Sequence, residues 1–179
     1  MSAHVRSQLN AQLRELDAAF RSRGVGYAAI GGLAVNAHGF VRATRDIDLM
    51  VLVEDAATVR TIALDLHYSV LDEGKEISSY VRDRQRFDVM HAQRPISRDL
   101  LARASEVPLD GMRIPIIPVE GLIGLKVQAY NDNPRRLQDV MDMVELFRVN
   151  TTLNMEEVRS YFRLFDRERL LDDILRAAR

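Results

Sequence analysis

The sequence contains no cysteine. Disulfide bonds, thiolate catalysis and cysteine-ligated zinc are therefore excluded at the outset. Lysine is nearly missing as well: Lys75 and Lys126 are the two in the chain, and arginine carries the remaining positive charge. A lysine at a motif position is thus less readily dismissed as filler. No stretch approaches the ~18 consecutive apolar residues of a membrane span, and the polar N-terminal segment has no signal-peptide core. A cytoplasmic location with no membrane partner is the expectation. A net charge of -1 with 28% charged residues excludes a polybasic nucleic-acid coat and an acidic disordered tail. A local patch can still do what the average does not. His4, His38, His67 and His91 lack metal-ligand spacing, which leaves little for histidine-based hydrolysis.

What is present suffices for one domain with a real core and a small helical annex: 179 residues, 47% of them hydrophobic. Val5, Leu9, Leu13, Leu16 and Phe20 recur at helical spacing, so an amphipathic helix opens the chain and ends at Gly24 and Gly26. Residues 27–30 read as a short strand, 33–38 as a short helix and 46–53 as a central strand whose first residues emerge at a sheet edge. A helix is predicted over 56–66, then strands over 68–71, 76–81 and 86–91, and a short helix over 98–104. Asp110-Gly111 marks a two-residue hairpin between 107–109 and 112–116. Pro118 opens an all-helical tail over 119–131, 134–148, 154–165 and 167–178. The expected fold class is α/β (α+β), a mixed sheet flanked by helices over 1–117 and a helical subdomain over 118–179.

Asp46 and Asp48 lie one residue apart on a predicted strand, so both side chains point the same way, with Cα atoms roughly 6.5 Å apart. Carboxylates side by side raise each other's pKa unless a cation sits between them, and a hard divalent ion with oxygen ligands is the natural partner. Asp88, anchored by Phe87 and Val89, is a third acid in a strand context. Three such acids can hold two ions about 3.5 to 4 Å apart, as in-line phosphoryl displacement requires. The plainer alternative is a surface pair neutralised by Arg42 and Arg45, with Asp88 salt-bridged to an arginine such as Arg86. Gly31-Gly32, between a predicted strand and a predicted helix, lets backbone N–H groups approach a polyphosphate, or simply makes a turn. Thr44 can fix the start of the strand by a hydrogen bond or merely favour β-structure.

Taken together, residues 29–51, with Gly31-Gly32 and then Gly39-x-x-Arg42-x-Thr44-x-Asp46-Ile47-Asp48, resemble the first motif of small bacterial nucleotidyltransferases of the polymerase beta superfamily, AbiE-type toxin nucleotidyltransferases in particular. Asp88 matches the superfamily's third carboxylate. Lys126, then Arg135, Asp139 and Asp142, is similar to a Lys…Arg…Asp-x-x-Asp stretch behind the active site of AbiE-type proteins. A hydroxyl residue that often follows the first glycine in the wider superfamily is replaced here by Gly32.

The resemblance implies the polymerase beta-like fold and a magnesium-dependent transfer of an NMP from an NTP to a hydroxyl. Asp46, Asp48 and Asp88 would be the catalytic and metal-binding set, and two ions are expected. Gly31, Gly32, Arg42, Thr44, Arg45 and Lys126 would serve the nucleotide. Arg135, Asp139 and Asp142 would support the site or touch a ligand. On the residues alone, Lys126 leans into a buried seam and needs a partner, either a phosphate or one of these aspartates. On the helix over 134–148, Leu137, Val140, Met141, Val144 and Phe147 form the expected apolar face, opposite Arg135, Asp139 and Asp142.

The acceptor implied is RNA such as a tRNA end, a protein, or a small hydroxylated molecule. Arg82, Arg84, Arg86, Arg94, Arg98 and Arg103 surround Asp88 in sequence and suggest a basic lip for a phosphate backbone. Toxin relatives suggest an antitoxin partner, which arginines of the last two helices can dock. The competing classes are a catalytically silent relative of the fold and a partner-binding component.

Overall fold

The computed structural model describes residues 3–179, with side chains from residue 7 onward. Helix α1 (Ala3–Ser22) buries Leu9, Leu13, Leu16 and Phe20 along one stripe. The side chains of His4 and Val5, the latter expected on that stripe, lie outside the described residues. Gly24, at φ +67°, ends the helix and turns the chain into β1 (Tyr27–Ala29). Then follow α2 (Gly31–Ala37), β2 (Ile47–Leu52), a 3-10 turn (Val53–Asp55), α3 (Ala56–Asp65), β3 (Ser69–Glu73), β4 (Ile77–Arg82), β5 (Gln85–Ala92), α4 (Pro95–Ala102), β6 (Ser105–Leu109) and β7 (Met112–Ile116). Asp110 and Gly111 both have positive φ, the conformation that a two-residue hairpin turn demands. Four helices complete the chain: α5 (Val119–Asp132), α6 (Leu137–Val149), α7 (Met155–Leu164) and α8 (Glu168–Ala177). Among the described residues no helix is long and apolar enough to cross a membrane.

The seven strands form one mixed sheet in the order β3-β4-β5-β2-β1-β7-β6. The central pair β2 and β5 runs parallel, and β1 lies antiparallel to β2. Ile47, Leu49, Met50 and Val51 of β2 and Phe87 and Val89 of β5 are fully buried. Tyr68 meets the Phe87 ring edge-on at 4.9 Å, and Tyr80 stacks on it at 4.8 Å. Such ring pairs add roughly 0.5–1.5 kcal/mol each beyond burial. They fix the strand that carries Asp88.

The chain divides into two compact units, one holding the chain through Leu33 together with Ala43–Ile117, the other Ala34–Arg42 with Pro118–Arg179. The sequence division at residue 117 had left residues 34–42 with the sheet; the structure groups them with the helices. Three contacts explain this. Asn150 donates to the His38 carbonyl at 3.1 Å, Gly39 lies against Val149, and Arg42 is ion-paired with Asp142.

Within the helical unit, Gly124 lets α5 approach α7: a Cβ there would lie 2.8 Å from the Tyr161 ring. The expected apolar face of α6 is corrected. Leu137 and Met141 are 66% and 55% exposed, whereas Asp139 and Asp142 are 6% and 0% exposed. The helix is rotated so that the two acids turn inward beside buried Met143 and Leu146, because a buried cation waits for them there. It also starts at Leu137 rather than 134.

Candidate active site

Strand register brings two of the three acids together. Asp48 of β2 stands opposite Asp88 of β5, on parallel strands whose spacing is about 4.8 Å. Their neighbours Ile47, Leu49, Phe87 and Val89 are buried on one face of the sheet, so Asp48 and Asp88 share the other, each half-buried. Asp46 departs from expectation by one residue: β2 begins at Ile47, and Asp46 is exposed in the bend just before it. The buried Thr44 hydroxyl donates to the Asp46 carbonyl at 3.3 Å and so ties that bend. Arg45 is exposed beside it.

Gly31 is fitted to Asp48. The Ile30 N–H donates to the Asp48 carbonyl at 2.9 Å, which lays the end of β1 alongside the acid. Gly31 has φ +58°, and a Cβ on it would lie 2.6 Å from the Asp48 carboxyl carbon and nearer still to one oxygen. Gly32 follows, buried, inside α2. Gly31→Ala is therefore expected to push the Asp48 carboxylate aside. It should also cost about 1–2 kcal/mol for the left-handed backbone. Any activity that uses the Asp48 carboxylate should fall by more than the loss in unfolding free energy accounts for, as paired turnover and urea titrations would read.

Arg86 reaches the site from two residues before Asp88 on the same face of β5. Its guanidinium donates to both Asp88 oxygens, at 2.9 and 3.0 Å, and to the Ser79 hydroxyl at 3.2 Å. Ser79 is the β4 residue opposite Asp88. The Asp88 hydrogen bond, then its charge, raises the Arg86 pKa, and the charges of Asp46 and Asp48 add to the effect. One guanidinium thus answers three carboxylates. As the side chains stand, no group of three His, Asp or Glu among the described residues is arranged to hold a metal ion. The donor set nevertheless suits a hard divalent cation: it is all oxygen, and an internal cation already stands in beside it.

Similarity to known proteins rests on structure, for no family model matches the chain. No curated protein matches it closely either. The antibiotic-resistance factor ANT(2'')-Ia superposes with a TM-score of 0.71 at 20% identity, covering 93% of this chain and 96% of its own. In its complex with adenylyl-2''-tobramycin the TM-score is 0.69 at 19% identity, with 92% and 98% covered. An antigenic nucleotidyltransferase-like protein from Paracoccidioides brasiliensis gives 0.54 at 17% identity, with 98% and 94% covered. The fold is that of the polymerase beta-like nucleotidyltransferases.

On this nucleotidyltransferase fold the second group of motif residues forms a buried ionic network. Lys126, 5% exposed, donates to Asp139 at 3.0 Å and to Asp142 at 2.6 Å. Asp142 also accepts two hydrogen bonds from Arg42, at 2.6 and 2.7 Å, and one from Gln138 at 2.8 Å. Asp139 accepts a further one from Arg136 at 2.5 Å. Burial by itself would raise the Asp142 pKa; the bonds from Arg42 and Lys126 outweigh it and hold the carboxyl below the usual range.

Of the two partners open to Lys126, the structure supplies the aspartates, so its ammonium is engaged inside the helical unit. Arg42 is likewise paired with Asp142, and its N–H is held by Asn36 at 2.9 Å. Arg135 is exposed, ahead of α6.

Two participants were not singled out from sequence. Gln138 carried no motif signal. Arg86 appeared as a neutraliser of Asp88 in the plainer alternative and as one arginine of the basic lip, and its two-residue spacing on a strand was the clue to its place in the site. The basic lip is also changed. Arg82 pairs with Glu15, Arg86 with Asp88, Arg94 with Glu76, Arg98 with Glu54 and Arg103 with Asp99, so five of the six arginines are neutralised by acids.

Proposed function

We propose that the chain is a magnesium-dependent nucleotidyltransferase that moves an NMP from an NTP to the hydroxyl of a small acceptor. The observation that carries this is the register of Asp48 against Asp88 on the two central parallel strands, with Gly31 shaped around Asp48. In this reading Asp46, Asp48 and Asp88 hold the cations. Bound there, magnesium would neutralise phosphate charge and polarise the phosphorus under attack.

The residues of the chain do the rest. Asp88, on central strand β5, accepts the proton of the acceptor hydroxyl as that oxygen attacks the α-phosphorus and pyrophosphate leaves. The backbone at Gly31-Gly32 seats the phosphates. Thr44 holds the bend that presents Asp46. Lys126, Asp139 and Asp142 are engaged with one another and with Arg42, and so act by holding Arg42 rather than by touching the nucleotide. The work is alignment and charge compensation.

A small acceptor is favoured over RNA because the arginines flanking Asp88 are largely paired with acids, which leaves little net attraction for a phosphate backbone. The ANT(2'')-Ia fold neighbour with its adenylylated tobramycin is consistent with this choice. The AbiE-type reading, a toxin with an RNA or protein acceptor and an antitoxin partner, is the second candidate, supported by the Gly31 to Asp48 motif.

The deciding experiment incubates the full chain with magnesium and each α-labelled NTP. A panel of hydroxylated antibiotics, total cell RNA and cell protein are offered as separate acceptors. Label on a small molecule supports the proposal, and label on RNA or protein moves the chain to the toxin reading. If no acceptor is labelled with any NTP, the chain is a silent relative of the fold.

A further inference from the structure

The Asp88 carboxylate is already ion-paired with a cation of its own strand. Both of its oxygens accept from Arg86 in a fork-to-fork pair, one bond to each. The third contact of Arg86, to Ser79, is with β4, so the arginine spans from Asp88 to the strand on the side away from Asp48. Asp48 stands on the other flank of Asp88 in direct register.

A divalent cation taking Asp88 as ligand therefore competes with the guanidinium, because both place positive charge on the same carboxylate. The Arg86 side chain remains 44% exposed, and a pair open to water to this degree is weak enough to exchange. The positions of charge also explain why the arginine is there: without it, neighbouring carboxylates would face each other uncompensated.

We propose that Arg86 is a displaceable internal counter-ion, which holds Asp88 until a divalent cation binds and so sets the cation concentration at which the site fills. The inference rests on the reading of Asp46, Asp48 and Asp88 as cation ligands. It makes the site self-neutralised at low cation and loaded at high cation, by competition between two cations for one carboxylate. Its consequence runs against the usual effect of deleting a polar contact in a site: removing Arg86 improves ligand binding there.

The test uses the full chain without nucleotide. Binding of manganese is followed by the electron paramagnetic resonance of the free ion, in wild type, Arg86→Gln, Arg86→Lys and Asp88→Asn. Arg86→Gln is expected to bind manganese about 2- to 5-fold more tightly, the range that exchange of a half-exposed ion pair allows. Arg86→Lys keeps the charge and loses the fork, so it should fall between the two. It also serves if the glutamine variant fails to fold. Adding Asp88→Asn to Arg86→Gln should remove the gain. As a second readout, magnesium should raise the melting temperature of Arg86→Gln more than that of wild type.

Equal or weaker manganese binding in both arginine variants, with wild-type binding that Asp88→Asn abolishes, overturns this inference and leaves the proposed function standing. Absence of carboxylate-dependent binding in every variant overturns both.

Discussion

Asp48→Asn is expected to reduce nucleotidyl transfer by about 10³-fold, the upper end of what loss of one preorganised electrostatic partner costs elsewhere. The substitution keeps the shape that fits beside Gly31 and removes only the charge. Because the Asp48 side chain shares its face of the sheet with Asp88, the change also relieves like-charge repulsion. Stability should therefore stay within about 1 kcal/mol of wild type or rise slightly. The pair of measurements separates chemistry from folding. Turnover should collapse at saturating magnesium and NTP while the urea midpoint holds. Undiminished turnover in Asp48→Asn would remove the carboxylate from the mechanism, and a collapsed midpoint would make it a structural residue.

The second large effect belongs to the buried network. Asp142 is 0% exposed and accepts from Arg42, Lys126 and Gln138. Asp142→Ala leaves the Lys126 ammonium buried with Asp139 alone, and breaking one side of a buried ion pair costs about 3–5 kcal/mol. For a chain of this size each kcal/mol lowers the melting temperature by roughly 2–4 °C, so a fall of roughly 6–20 °C is expected by calorimetry. A fall of less than a few degrees would mean that water or a local shift satisfies the lysine.

The same site gives wild type a particular acid sensitivity. The folded Asp142 pKa is depressed, so its contribution is complete above the unfolded value, about 3.9, and is lost as pH falls through the lower folded value. Wild type should lose stability below about pH 4 by more than Asp142→Ala does, which urea titrations at pH 3 and pH 7 would show.

Much of this was legible in the sequence because local chemistry set it. The hairpin at Asp110-Gly111 follows from two residues that tolerate positive φ, and both adopt it. The stripe from Leu9 to Phe20 could only be a helix buried on one side. The run from Ile47 to Val51 had the length and apolar character of a central strand, and it occupies that place. Spacing alone also put Asp48 on the face opposite Ile47 and Leu49.

The readings that failed were those in which long-range partners overrule a local pattern. Leu137 and Met141 should have been inside by periodicity. Instead the helix turns Asp139 and Asp142 inward, because an unpaired buried lysine costs more than two exposed apolar side chains. A hundred positions of sequence also separate Arg42 from Asp142, the ion pair that joins residues 34–42 to the helices of their compact unit.

The sequence by itself determined which residue types were available for chemistry, where most helices and strands begin within a residue or two (α4 and α6 are three off), and that Asp48 and Asp88 would each project from a strand. Only the tertiary structure decided that those two strands lie side by side in register, that Gly31 closes on Asp48, and that Arg86 rather than a distant group neutralises Asp88. Strand pairing and the fate of a buried charge depend on partners far away along the chain, and no local pattern encodes the distance between them.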